Sequence, residues 1–143
     1  MSGYADTSFL VSLYVLDANS ETAARLMKRA ELPLMVTPFG ELELANAFAL
    51  RLFRKELTPS GVKAARAMFS KDIDDGVFAQ KSLPEMAFER AKKLAQTRTF
   101  RLGTRTLDTL HVASAVLLRA DTFYTMDRRQ AMLAKAERLR VAP

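Results

Sequence analysis

Short apolar segments alternate along this chain with longer segments whose apolar residues recur every three or four positions. The short segments have the length of strands and lie at about Gly3–Asp6, Leu34–Thr37, Val77–Ala79, Asp121–Thr125 and Leu139–Val141. The longer segments have helical spacing and lie at about Thr7–Tyr14, Asn19–Arg29, Phe39–Lys55, Thr58–Ile73, Ser82–Thr97, Thr106–Arg119 and Arg128–Arg138. This alternation predicts an α/β fold, in which crossover helices join the strands of a sheet.

Local signals mark several of the helix boundaries. Thr7 and Ser8 can cap the helix that follows the first strand. Thr58 followed by Pro59 is typical of a helix start, with a capping residue and then proline in the first turn. We expect residues 98–103 to form a loop between two helices, so that the helix beginning near Ser82 ends at about Thr97.

Length and composition exclude several classes of protein. A chain of 143 residues is typical of one domain, and we expect a single domain over residues 1–143. The chain has no cysteine and only one histidine, which excludes disulfides, thiolate metal sites and sites with several histidines. No apolar stretch approaches the roughly 20 residues of a membrane span, and the N-terminus lacks the basic segment of a signal peptide. We therefore expect a soluble cytoplasmic protein.

The charge of the chain indicates a polyanionic partner. Twenty-two Lys and Arg residues face sixteen Asp and Glu residues, which gives a net charge of +6. Basic surfaces attract phosphate backbones, although such a charge also occurs simply as a soluble surface.

Four acids fall at equivalent places in the alternation of strands and helices: Asp6, Glu43, Asp108 and Asp127. The carboxyl ends of parallel strands face one crevice, where four carboxylates would repel one another unless cations neutralised them. Oxygen ligands of this kind suit Mg²⁺ or Mn²⁺. Each acid also has an ordinary structural interpretation, as a helix cap or a solvated side chain. His111, three residues after Asp108, is more typical of a packed, hydrogen-bonded core residue than of a ligand.

The motifs around these acids resemble those of the PIN domain family, in the right order and over nearly the whole chain. Tyr4–Ser8, followed by an apolar helix, resembles the opening of a PIN domain. The spacing from Thr37 to Glu43 is similar to that of the second acidic segment. Residues 107–115 resemble the third segment, which is the most specific, and residues 123–129 resemble the fourth.

This resemblance implies both a fold and an activity. The family has a three-layer fold, with a roughly five-stranded, mostly parallel sheet and helices on both faces. Compact bacterial members are VapC-like toxins, the ribonucleases of type II toxin–antitoxin pairs. Asp6, Glu43, Asp108 and Asp127 take the four acidic positions, with Glu41 as the alternative to Glu43. The resemblance therefore implies a Mg-dependent endoribonuclease.

The same resemblance suggests a role for each acid. Asp6 and Asp108 would be the principal ligands of Mg²⁺, or of Mn²⁺, and Glu43 and Asp127 would complete the shell or hold a second ion. The hydroxyls of Thr7 and Thr125 would orient this shell.

RNA and protein partners follow from the same argument. Arg51, Arg54, Arg105 and Arg128 are candidate contacts to the RNA backbone, although exposed arginines are often simply solvated. We also expect a homodimer, and a cognate antitoxin that places a basic side chain among the acids.

Two other functions remain open at the level of sequence. The first is a PIN-like module that binds nucleic acid without cutting it. The second is a phosphatase with an aspartyl nucleophile, since Asp6 follows a strand; that class requires an acid two residues later, where this chain has Ser8.

Overall fold

The computed structural model describes residues 2–143, which form five strands and seven helices. The strands are β1 (Gly3–Ala5), β2 (Leu34–Val36), β3 (Phe78–Gln80), β4 (Thr122–Tyr124) and β5 (Arg140–Ala142). The helices are α1 (Thr7–Tyr14), α2 (Ser20–Arg29), α3 (Pro38–Phe53), α4 (Pro59–Asp74), α5 (Ala87–Leu102), α6 (Thr106–Leu117) and α7 (Arg128–Ala136). The predicted alternation of strands and helices is therefore confirmed.

The five strands form one parallel sheet in the order β3-β2-β1-β4-β5. The central strand is β1, in which Tyr4 is in register with Met35 of β2 on one side and with Phe123 of β4 on the other. The chain first moves outward through β2 and β3 and then returns to the other side of β1. In open α/β sheets, ligands bind outside the carboxyl ends of the strands at such a reversal.

Alternate strand residues point to opposite faces of the sheet and supply two hydrophobic cores. Ala5, Leu34 and Val36 pack into the first core with residues of α1 to α4. Tyr4 and Met35, one position along, pack into the second core with residues of α5, α6 and α7. Helices therefore cover both faces, and the predicted three-layer α/β fold is confirmed.

Four helices begin at a side chain that accepts a hydrogen bond from the backbone amide three residues later: Asp6, Thr37, Thr58 and Asp127. The predicted start at Thr58–Pro59 is confirmed. The prediction that Thr7 or Ser8 caps α1 is wrong, because Asp6 is the cap and its Oδ1 accepts from the amide of Phe9 at 2.9 Å. Two of the predicted site acids thus also stabilise helix ends.

Helix α5 differs from the prediction at both ends. It begins at Ala87 rather than near Ser82, and it continues to Leu102 through the segment predicted to be a loop. Leu102 packs against the second core, which favours another turn of helix. The helix ends at Gly103, whose φ of 66° is the left-handed conformation that glycine adopts most readily.

Candidate active site

A cavity of about 680 Å³ opens beyond the carboxyl ends of β1 and β4. Three of the four predicted acids line it: Glu43 from α3, Asp108 from α6 and Asp127 at the start of α7. Two of the predicted arginines, Arg51 and Arg105, line it as well. Acids that are up to 84 positions apart in sequence therefore share one cavity, because each lies on an element that starts or passes at this edge of the sheet.

Asp6, the fourth acid, lies at the end of the central strand and is fully buried. Its Oδ1 accepts hydrogen bonds from the Ser8 hydroxyl at 2.7 Å and the Phe9 amide at 2.9 Å, and its Oδ2 accepts from the Thr125 hydroxyl at 2.5 Å. Burial raises the pKa of the Asp6 carboxyl, against the opposing effects of His111 and these hydrogen bonds. Asp6 does not itself line the cavity, but Ser8 does.

Thr125, at the end of β4, joins Asp6 to Asp127. Its hydroxyl donates to Asp6 and accepts a hydrogen bond from the backbone amide of Asp127 at 2.9 Å. The Asp127 carboxylate in turn caps α7 through the amide of Gln130, at 3.0 Å. The central strand and its neighbour thus hold two of the acids in a fixed relation.

Arg105 links Asp108 to Asp127. Its backbone amide donates to Asp108 Oδ2 at 2.8 Å, with the guanidinium Nε 3.5 Å from the same oxygen. Its Nη2 lies 3.2 Å from Asp127 Oδ2. Asp108 is nearly buried, whereas the Arg105 side chain is 70 % exposed. Asp6, Asp127 and Asp108 therefore form a connected series through Thr125 and Arg105.

Glu43 is held by hydrogen bonds on one oxygen. Its Oε1 accepts from the Thr7 hydroxyl at 2.7 Å and from His111 Nε2 at 2.5 Å. Burial acts to raise the pKa of Glu43, but its hydrogen bonds to His111 and Thr7, together with the charge of Arg105, leave that pKa below its ordinary value. His111 is buried and hydrogen-bonded, as the sequence indicated.

Glu41, the alternative to Glu43, points elsewhere. Its Oε1 accepts a hydrogen bond from Gln80 Nε2 at 2.8 Å, at the end of β3, and it does not line the acidic cavity. The geometry therefore favours Glu43 as the acid of this helix.

The four predicted arginines divide into two pairs. Arg51 and Arg105 line the cavity, and Arg51 also lies 3.5 Å from Glu56. Arg54 and Arg128 are exposed and are absent from the residues that line it.

Three polar residues of the cavity were missing from the predicted site: Ser8, Thr106 and Gln130. Ser8 donates to Asp6 and lines the cavity. Gln130 is 5 % exposed and also lines it. The spacing from Asp127 to Gln130, three residues apart at a helix start, places them one turn apart and was the signal available in the sequence.

The donor set fits a hydrated hard cation. Among residues 2–143, no three carboxylate or imidazole groups lie close enough to enclose an ion by themselves. Mg²⁺ requires less, because it usually keeps several waters and binds one or two carboxylates. Gln130 Oε1 is buried with no hydrogen-bond partner among the described residues, and a water of such an ion could donate to it. The oxygen ligands and the space beside them therefore suit Mg²⁺ or Mn²⁺ with water.

None of the helices in residues 2–143 has the length and hydropathy needed to span a bilayer.

Comparisons with known proteins agree with the fold. A family model described as PIN domain matches residues 4–136. No curated protein sequence matches the chain significantly.

Among solved structures, Mycobacterium tuberculosis VapC20, a sarcin-ricin loop cleaving toxin, is 20 % identical with a TM-score of 0.72, covering 99 % of both chains. FitAcB from Neisseria gonorrhoeae is 15 % identical with a TM-score of 0.68, covering 100 % of this chain and 97 % of that one. PAE2754 from Pyrobaculum aerophilum is 18 % identical with a TM-score of 0.63, covering 94 % of this chain and 86 % of that one. These likenesses show a shared fold.

Proposed function

This chain belongs to the PIN domain family, and we propose that it is a divalent-metal-dependent endoribonuclease that acts as the toxin of a toxin–antitoxin pair. The proposal depends on one observation above all. Glu43, Asp108 and Asp127 line one cavity at the carboxyl edge of the sheet, and Asp6 is joined to it through Thr125 and Ser8. So many carboxylates in one place are costly for a fold unless cations compensate them.

The ion would be held by the acids of this cavity. We assign Asp6 and Asp108 as its principal ligands, with Glu43 and Asp127 completing the shell, directly or through water. When bound, Mg²⁺ or Mn²⁺ lowers the pKa of a coordinated water and offsets the charge of the phosphate.

The remaining polar residues would keep these ligands in place. Thr125 and Ser8 donate to Asp6 and so favour its ionised form despite its burial. Thr7 does the same for Glu43. Hydrogen bonds of this kind fix the orientation of a ligand before an ion arrives.

Arg51 and Arg105 would attract the RNA backbone. They are the two arginines that line the cavity, and they lie beside its acids. A guanidinium offers paired donors that match a phosphate. Arg105 contacts Asp108 and Asp127 in this structure, and an incoming phosphate would compete for the same donors.

Protein partners are part of the proposal. Leu16, Leu42 and Phe53 are large apolar residues that are between 70 % and 92 % exposed. Exposed apolar surface of this kind is typical of protein interfaces. We assign it to homodimer formation and to an antitoxin whose basic side chain enters the acidic cavity. One of the structural neighbours, Mycobacterium tuberculosis VapC20, is described as a sarcin-ricin loop cleaving toxin.

The test is RNA cleavage by the purified chain, read by sequencing the RNA ends, with Mg²⁺ and with a chelator. Two pairs of variants isolate the site. Asp108→Asn is compared with Asp121→Asn, an acid paired with Arg140 at the opposite edge of the sheet. Glu43→Gln is compared with Glu41→Gln on the same helix. We expect Asp108→Asn and Glu43→Gln to lose roughly 100-fold or more of the activity, and the two controls to keep it.

A binding measurement separates the nuclease from a non-catalytic module. Asp6→Asn removes a negative charge, so we expect it to abolish cleavage while RNA affinity stays equal or increases. RNA binding without metal-dependent cleavage by the wild-type chain would contradict the proposal and favour the binding module.

A further inference from the structure

We propose that His111 is a positioning residue, the middle member of a buried series Tyr4–His111–Glu43 that fixes which carboxylate oxygen of Glu43 is available in the cavity. The inference rests on the proposed function only where it takes Glu43 as a ligand of the divalent ion. The hydrogen-bonded series itself is a property of the folded chain and can be tested without RNA.

Both ring nitrogens of His111 contact protein. Nε2 lies 2.5 Å from Glu43 Oε1, and Nδ1 lies 2.8 Å from the hydroxyl of Tyr4. Thr37 Oγ1 lies 3.4 Å from the same Tyr4 hydroxyl. The three groups come from α6, α3 and the central strand, so the series crosses from the core of the sheet to the cavity.

The ring of His111 has little freedom to turn away. Its side chain is 1 % exposed, and the ring of Phe39 packs against it at 4.3 Å between centroids. Tyr4 packs against its edge at 5.8 Å. Gly40 also borders the ring, since a Cβ at that position would lie 3.5 Å from His111 Cε1, an ordinary van der Waals distance.

The contacts determine the tautomer. An ionised carboxylate only accepts hydrogen bonds, so Nε2 of His111 carries the proton that is donated to Glu43. Tyr4 is fully buried, and burial raises the pKa of its hydroxyl, which therefore keeps its proton. We assign that proton to the contact with Nδ1, at 2.8 Å, rather than to Thr37 Oγ1, which lies 3.4 Å away. The order of donation is Tyr4 to His111 to Glu43.

This arrangement leaves one oxygen of Glu43 for the cavity. Oε1 accepts from both His111 and Thr7. No hydrogen bond from the described part of the chain reaches Oε2, and Glu43 lines the cavity. The series thus presents Oε2 to a ligand there. It also excludes His111 as a general base, because neither of its nitrogens is free.

The tautomer is directly measurable, because His111 is the only histidine in the chain. In the ¹⁵N-labelled protein, the long-range ¹H–¹⁵N spectrum contains one imidazole, and we expect a protonated Nε2 and an unprotonated, hydrogen-bonded Nδ1. Glu43→Gln should shift the Nε2 signal and Tyr4→Phe the Nδ1 signal, whereas Glu41→Gln should move neither. A ring that is protonated on Nδ1 and unprotonated on Nε2 would overturn the proposal. An Nε2 signal that does not shift in Glu43→Gln would overturn it as well.

Calorimetric titration with Mn²⁺ alone tests the consequence for the site. We expect His111→Leu to weaken Mn²⁺ binding roughly 10- to 100-fold, the usual effect of removing a residue that orients a ligand. His111→Gln, whose amide can donate from nearly the position of Nε2, should recover most of that loss. Equal losses in both variants, or none in either, would contradict the positioning role. If the wild-type chain bound no Mn²⁺, the proposed function would fail, while the spectrum would still decide the buried series.

Discussion

At the scale of single residues, the stability of the fold and the proposed metal binding place opposite demands on the Asp6 carboxyl. It is fully buried, caps α1 and accepts three hydrogen bonds, and burial raises the pKa of its carboxyl. The fold therefore resists the ionised form that a metal ligand requires. Function, rather than stability, accounts for an acid at this position, because an uncharged residue could also cap the helix.

This conflict predicts that Asp6→Asn stabilises the chain when no divalent ion is present. A carboxyl whose folded pKa is raised contributes nothing below the ordinary carboxyl range, where it is protonated in both states. It destabilises the fold progressively as the pH rises through the folded pKa. We expect the gain of the variant to be absent near pH 3 and to reach about 1–3 kcal/mol at neutral pH. Urea denaturation across this range measures it, and a variant that is less stable at neutral pH would contradict the assignment.

Arg105 is the second residue with a defined conflict, because its guanidinium contacts Asp108 and Asp127 where an ion would bind. We expect Arg105→Ala to bind Mn²⁺ up to about fivefold more tightly, as befits the loss of one exposed cation. It should bind RNA more weakly, with a salt slope reduced by about 1.

Arg54→Ala is the matched control for Arg105→Ala, since Arg54 is exposed and does not line the cavity. Titrations with Mn²⁺ and RNA on both variants make the comparison. We expect Arg105→Ala to bind Mn²⁺ more tightly and RNA more weakly, and Arg54→Ala to change neither affinity in this way. If both affinities fall together, Arg105 supports the site structurally instead.

At the scale of elements, the central strand leaves no room for a side chain at its start. A Cβ on Gly3 would lie 2.6 Å from Tyr124 Cε2 and 2.7 Å from Leu34 Cδ2. These two residues belong to the strands on either side of β1, so an added methyl group forces both neighbours to shift.

Gly3→Ala should therefore destabilise the fold by about 1–3 kcal/mol, the usual cost of overpacking. Gly40→Ala is the contrasting variant, because its Cβ would meet only ordinary contacts at 3.5 Å inside a helix. There alanine should be neutral or stabilise by up to about 1 kcal/mol. Thermal unfolding of both variants decides the matter, and equal melting temperatures would show that β1 adapts more easily than its packing suggests.

The elements also show what the sequence can predict. The strands follow from short apolar runs, which are buried on both faces in β1 and β2, and most helices follow from apolar residues that recur every three or four positions. Helix α5 was predicted to stop near Thr97, with a loop over residues 98–103. It continues because Leu102 reaches the second core and Gly103 ends it in a left-handed conformation. Tertiary packing thus decided a boundary that local composition could not.

At the scale of the whole molecule, the gathering of the four acids at one edge of the sheet was predictable and their contacts were not. The alternation of strands and helices places all four at one edge of the sheet. The hydrogen bond from Thr125 to Asp6, the placement of Arg105 between two aspartates and the contact of His111 with Glu43 join residues up to 119 positions apart. Such contacts depend on the packing of side chains across elements, which periodicity does not describe.

The charge of the molecule fits this arrangement. The chain carries +6 in net charge while its acids gather at one cavity. In the proposed nuclease, this net positive charge would attract RNA from a distance, while the cavity keeps oxygen ligands for a cation.

The central claim is that these carboxylates bind a divalent ion, and the most direct measurement is anomalous scattering from crystals of the chain grown with Mn²⁺. We predict an ion in the cavity lined by Glu43, Asp108 and Asp127, with Asp108 among its ligands and Arg105 displaced from it. An empty cavity at saturating Mn²⁺, or an ion bound only at another surface of a chain that still cuts RNA, would contradict the account.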